Sequence, residues 1–158
     1  MDYFFKPKGI AVIGASPNKK KGGNALLRNI MSGYKGNIFP INPQYETIED
    51  LKCYPSVSAV EDNVDLAILF VSANMVPEVL RDCAAKGVSG AIIQSGGFAE
   101  TGPEGRALQE KIKKIGKEGK IRLWGPNCMG MVDMVQKHIF SFVNPKTIQS
   151  EMLPGDVS

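Results

Sequence analysis

Short apolar runs recur along the chain, each bounded by glycine, proline, asparagine or serine. Between them lie stretches in which apolar side chains return every three or four positions. The runs are Gly9–Ile13, Asn37–Pro43 (closed by its proline), Leu66–Val71, Gly90–Gln94 and Ile121–Trp124. Continuous rather than alternating apolarity predicts strands buried on both faces. The periodic stretches predict helices. One spans about Gly23–Ser32, with Leu26, Leu27, Ile30 and Met31 on one face and Gly33 as its stop. A second is capped by Asn74, turns Val76, Val79, Leu80, Cys83 and Ala84 inward, and ends at Gly87. A third runs to about Glu118 behind Thr101-Gly102-Pro103-Glu104, which reads as a capping box, with Ala107, Leu108, Ile112 and Ile115 inward. Residues 44–63 are looser, with a short helix expected over Ser56–Val60. Met134–Val143 is expected to pair as an extra strand or to cover a sheet edge.

Strands alternating with helices predict an α/β, Rossmann-like, doubly wound fold: a mainly parallel sheet with helices on both faces. The 158 residues amount to one domain. Residues 1–150 are taken as that domain, and 151–158 as a linker towards a further domain of a longer protein. Hydrophobic content of 43% and charged content of 22% are those of a globular protein. No apolar run reaches the ~18 residues a membrane span needs, and Met1–Lys8 lacks a signal layout. Cytoplasm is the expected compartment, with no membrane partner. Cys53, Cys83 and Cys128 are odd in number and lack CxxC spacing, so neither disulfides nor a metal site is expected. A net charge of +3 does not argue for nucleic acid. The excess is local, since Lys6, Lys8, Lys19, Lys20 and Lys21 face only Asp2 in the first 21 residues. A second basic run, Lys111 to Arg122, reads as a solvated helix face.

Candidate chemistry lies in the turns that follow the strands. In an open parallel sheet, ligands bind outside the carboxyl ends of the strands. Four unusual loops fall there: Gly14-Ala15-Ser16-Pro17, Pro40-Ile41-Asn42-Pro43, Ser95-Gly96-Gly97-Phe98 and Gly125-Pro126-Asn127-Cys128-Met129-Gly130. The first runs from a buried strand into a helix N-terminus, where free N–H groups and the helix dipole favour an anion. It is not GxGxxG, and Asn42-Pro43 stand where an NAD site wants an acid for the ribose. The adjacent lysines suit a ligand with more phosphate than NAD, such as coenzyme A.

These motifs come in an order and spacing that resembles the N-terminal CoA-binding domain of the NDP-forming acyl-CoA synthetases. That superfamily is related to the alpha subunit of succinyl-CoA synthetase. Gly14-Ala15-Ser16 with Lys20-Lys21-Gly22, Phe39-Pro40-Ile41-Asn42-Pro43, Ser95–Glu100 and Gly125-Pro126-Asn127-Cys128-x-Gly130 carry the resemblance, which covers the whole chain. It implies a reversible conversion of acyl-CoA, ADP and phosphate into acid, CoA and ATP, through an acyl phosphate and a phosphorylated histidine. It also implies that Ser16, Pro17 and Lys21 meet the CoA phosphates, that Gly14, Ala15 and Lys20 belong to the same cofactor-binding stretch, and that Asn42 and Pro43 border the adenosine half. Val71, Ser72 and Ala73 would form the next turn against the ligand. Ser95, Gly96 and Gly97 would lie along the pantetheine or its phosphates, with Asn127 and Cys128 near the thiol end.

The resemblance places the phosphorylated histidine in a glycine-rich motif of a following domain. The one histidine here, His138, has no such motif, and no ATP-grasp-like segment is present. Alone, the chain is therefore expected to bind CoA or acyl-CoA and to catalyse nothing, its partners being ligase and ATP-grasp parts. No residue is assigned as catalytic. Two alternatives are a stand-alone or acetyltransferase-linked CoA sensor and an NAD-binding domain. Cys128 is read as a small buried hydrophobe, Glu100 as a helix N-terminal charge and Trp124 as core. A valine at Gly14 is expected to block the ligand in a folded sheet.

Overall fold

The computed structural model describes residues 2–144. The expected linker at 151–158 lies outside them. Five strands form one parallel sheet: β1 (Gly9–Ile13), β2 (Asn37–Ile41), β5 (Leu66–Leu69), β6 (Gly90–Ile93) and β7 (Arg122–Trp124), in the order β2-β1-β5-β6-β7. The chain winds outward from β1 to β2, returns past β1 to β5, and then winds the other way. The order therefore reverses at β1 and β5.

Side chains of the central strands alternate between two cores. Ile10, Val12, Leu66, Ile68 and Ile92 face α2 (Gly22–Gly33) and the short N-terminal helix α1 (Asp2–Phe5). Ala11, Ile13, Ala67, Leu69, Ala91 and Ile93 face α3 (Val76–Lys86) and α4 (Pro103–Glu118). Both faces of the sheet are thus dry, which is why its strands read as unbroken apolar runs. Two small hairpins are also present among the described residues: β3 (Thr47–Ile48) with β4 (Leu51–Lys52), and β8 (Met131–Asp133) with β9 (His138–Phe140). Only β9 of the second falls within the extra strand expected over Met134–Val143; it pairs with β8, which precedes that stretch, as a sheet of its own rather than joining the parallel one. It packs on α2, where Asn29 Nδ2 donates to the Ser141 and Val143 carbonyls, both at 2.7 Å.

Several local expectations are corrected. Ser56–Val60 is a turn, not a helix, yet Val57, Val60 and Val64 still fill the α3/α4 core. The Asp82 carboxylate holds that segment by accepting from the Val57 N–H at 2.7 Å, so a side chain supplies the acceptor a helix would have provided. Asn74 does not cap α3; it lies in a 3₁₀ turn, Ala73–Met75. Thr101 does not form a capping box, because its hydroxyl donates back to the Phe98 carbonyl at 2.8 Å. Gly87 is left-handed (φ 83°) as a stop should be. Gly33 is not; its missing Cβ makes room for the Lys137 carbonyl. Ala107 is exposed. Trp124 is 41% exposed, because it ends an edge strand, and it leans on Phe4 with ring centroids 5.7 Å apart.

Candidate functional site

Because all five strands are parallel, their carboxyl ends share one rim. The ladder runs one rung past the strands: Gly14 N–H bonds the Ile41 carbonyl, Phe70 N–H that of Ile13, and Gln94 N–H that of Leu69. Beyond that rung the chains diverge through left-handed glycines, Gly14 (φ 87°), Gly97 (φ 103°) and Gly125 (φ 99°). At Gly14 the reason is visible: a Cβ there would fall on the Phe70 carbonyl oxygen. The expectation for a valine at 14 is thereby corrected, since it would collide with backbone before reaching any ligand.

The loops are tied to one another. Asn42 Nδ2 donates to the Ala15 carbonyl at 2.8 Å, joining the turn after β2 to the turn after β1. Ser95 is the node of the other half. Its hydroxyl accepts from Val71 N–H at 3.3 Å, and its carbonyl accepts from Asn127 N–H at 3.0 Å. A Cβ on Gly96 would stand 3.2 Å from Asn127 Oδ1, and one on Gly97 would stand 3.0 Å from Ala73 Cβ. Asn127 is itself left-handed (φ 54°) without being glycine. All four loops therefore meet along one edge.

A cavity of about 580 Å³ opens where the strand order reverses, within the range of small-molecule sites. Gly14, Asn42, Pro43, Val71 and Ser72 line it, with Gln44, Met75 and Glu78 at its sides. Ala73, Ser95, Gly96, Gly97, Asn127 and Cys128 form the neighbouring half of the rim. Ala15 and Ser16 are buried beneath the first turn, while Pro17, Lys20 and Lys21 are exposed beside it. Neither ion pair found among the described residues involves those lysines; both lie on α4.

Glu100 is the acidic residue in the first turn of a 3₁₀ helix, Ala99–Thr101, in keeping with its reading as a helix N-terminal charge. Its carboxylate accepts from Gly97 N–H at 2.6 Å, and the N–H groups of Gly97, Phe98 and Glu100 itself hold it below the usual carboxylate range. Cys128 is half-buried; burial pushes its thiol up, and Sγ donates to the Ile93 carbonyl at 3.4 Å. A protonated, bonded thiol is a poor nucleophile. His138 packs against Tyr34 and Phe140, 5.4 Å from each ring. Among the described residues no His, Cys, Asp and Glu cluster could hold a metal ion, and no helix is long and apolar enough to cross a membrane.

Three residues escaped the sequence reading. Asn18 shapes the lysine loop: its carboxamide oxygen accepts from Lys20 N–H at 3.0 Å and its carbonyl from Lys21 N–H at 2.9 Å. Asparagine two residues after the serine of a turn was a usable signal. Asn24 and Glu49 also bear on the first turn, and only tertiary structure brings them there.

Comparison with known proteins shows the family and supports the fold. The CoA binding domain family matches residues 8–134. An ADP-forming acetate–CoA ligase of Archaeoglobus fulgidus is 40% identical over 92% of this chain and 22% of its own length. One from Methanocaldococcus jannaschii is 45% identical over 84% of this chain and 18% of its own. The chain thus spans about a fifth of these curated relatives. A solved acetyl-coenzyme A synthetase from Ca. Korarchaeum cryptofilum, in complex with phosphate and ADP, superposes with a TM-score of 0.85. It is 37% identical, over 89% of this chain and 30% of that one.

Proposed function

The chain belongs to the CoA binding domain family, and from that premise we propose that it is the CoA-binding domain of an ADP-forming acyl-CoA synthetase, with acetate the leading acid. The observation that carries this reading is the convergence of four loops on one edge, with a cavity of about 580 Å³ at the turns after β1, β2 and β5 and a lysine-bearing helix N-terminus beside it. CoA lies along that edge. Its adenosine occupies the cavity bordered by Asn42, Pro43, Val71 and Ser72. Its phosphates meet the first turn, Gly14 to Pro17, where the N-terminus of α2 favours an anion and Lys20 and Lys21 neutralise charge. The pantetheine passes Ala73 and Ser95 to Gly97, and the thiol emerges by Asn127 and Cys128.

The division of labour follows. Cys128 is a bonded, protonated thiol and His138 is packed against two aromatic rings, so this domain presents the CoA thiol and the acyl transfer is done elsewhere. In the whole protein, ligase and ATP-grasp parts convert acyl-CoA, ADP and phosphate into acid, CoA and ATP in the cytoplasm. Residues 1–150 are the CoA-binding domain and 151–158 lead to the ligase part. An NAD site is disfavoured by Asn42, whose side chain is engaged within the chain and whose place a ribose-binding acid would take. Calorimetric titration with CoA, acetyl-CoA and NADH tests the reading: both thiol carriers bind and NADH does not. Binding of NADH without CoA would overturn it.

A further inference from the structure

Asn24 is 2% exposed, a buried polar side chain in the first turn of α2, and its use by the fold is specific. Both hydrogens of its carboxamide nitrogen are spent. One goes to the Ser16 carbonyl at 2.9 Å, and the other to Glu49 Oε1 at 2.8 Å. Asn42 Nδ2 holds the preceding carbonyl, that of Ala15. Two carboxamides, one on a helix and one after a strand, therefore bind two consecutive carbonyls of the anion-binding turn.

Carbonyl oxygens repel phosphate and N–H groups attract it. A turn at a helix N-terminus binds an anion only if its oxygens stay directed into the protein. The Glu49 partner is placed at some conformational expense. It sits in the β3–β4 turn, where Glu49 (φ 50°) and Asp50 (φ 63°) are both left-handed without being glycine. Each such residue is disfavoured, and Glu49 is half-buried with its carboxylate on Asn24. The hairpin thus carries a carboxylate whose observed contact is the residue that holds the turn.

Resting on the CoA reading above, we propose that Asn24 is a positioning residue for the phosphate-binding turn: oriented by Glu49, it keeps the Ser16 carbonyl inward so that the turn's N–H groups face the CoA pyrophosphate. It touches no ligand itself. Removing its donor frees the carbonyl to swing towards the phosphates.

The test is a reciprocal exchange. In Asn24→Asp the carboxylate can donate to neither partner. In Asn24→Asp with Glu49→Gln the amide moves across the pair, so the hairpin contact is remade while the Ser16 carbonyl stays without its donor. CoA affinity is measured by calorimetry, the phosphorus resonances of bound CoA by NMR, and Tm by thermal melting. The single variant loses CoA affinity on the order of tenfold, lowers Tm, and shifts the pyrophosphate resonances but not that of the 3′-phosphate. The double variant recovers Tm and not affinity. Recovery of both together, or unchanged affinity in the single variant, would overturn the proposal and leave Asn24 a purely structural residue. Asn24→Ala, which loses both bonds without adding charge beside the phosphates, is measured as well: it too loses affinity and shifts the pyrophosphate resonances, and unchanged affinity there would assign the loss in Asn24→Asp to its charge and overturn the proposal. Failure of the unaltered chain to bind CoA is a different result, and would sink the CoA reading together with this one.

Discussion

The two edges of the parallel sheet are built from the same strands and do opposite things. At the amino edge, Asp65 sews the strands together. Its carboxylate accepts from Lys8 N–H at 2.6 Å and Gly9 N–H at 3.2 Å, its N–H bonds the Gly9 carbonyl, and its own carbonyl accepts from Ser89 and Gly90. Arg122 N–H continues the belt to Ser89, and Asn37 N–H bonds Lys8. None of these residues has a positive φ. At the carboxyl edge the ladder ends after one extra rung, left-handed residues turn the chains apart, and a cavity of about 580 Å³ opens. Polar groups consumed by the chain give stability; polar groups and space left at the opposite edge give a site.

Three substitutions can break or sharpen that contrast. The largest effect belongs to Gly14→Val. A valine there must take a left-handed backbone and meet the Phe70 carbonyl, so stability falls by on the order of 3 kcal/mol or more. Urea denaturation checks this, and a variant of native stability that merely loses CoA would mean that the first turn is not sealed by backbone. Next is Asp65→Ala at the stitched edge. Two backbone N–H groups lose their acceptor, for a loss of about 1–3 kcal/mol, while CoA affinity stays as it was. A parallel loss of affinity would show that the edges are coupled. The smallest effect on the fold is that of Lys20→Ala with Lys21→Ala. Both side chains are exposed, so Tm is unchanged. CoA affinity falls by about tenfold, less at high salt, and more for CoA than for 3′-dephospho-CoA. Equal losses for the two ligands would move the lysines to the pyrophosphate.

Much of this was legible in the chain because it is local. The five strands are apolar runs, Gly87 stops α3 as a glycine in left-handed conformation should, and each of the four rim loops carries its own glycine or proline. What failed were features settled by distant partners. Thr101 prefers the Phe98 carbonyl to a cap, Gly33 is small for the sake of Lys137, and Ser56–Val60 stays unwound because Asp82, far along the chain, takes its N–H groups. Trp124 read as core because it ends an apolar run, but a strand at the edge of a sheet has a neighbour on one side only.

The sequence alone determined the fold class and the motif-bearing turns, because alternation of strand and helix and the glycines of tight turns are written in neighbouring residues. Tertiary structure decided which residues hold those turns. Asn24 meets Glu49, Asn42 meets Ala15, and Ser95 joins Val71 to Asn127 only once strand order has been set. A hydrogen bond is fixed by a few tenths of an ångström between atoms that the chain places many residues apart, and periodicity carries no record of that distance.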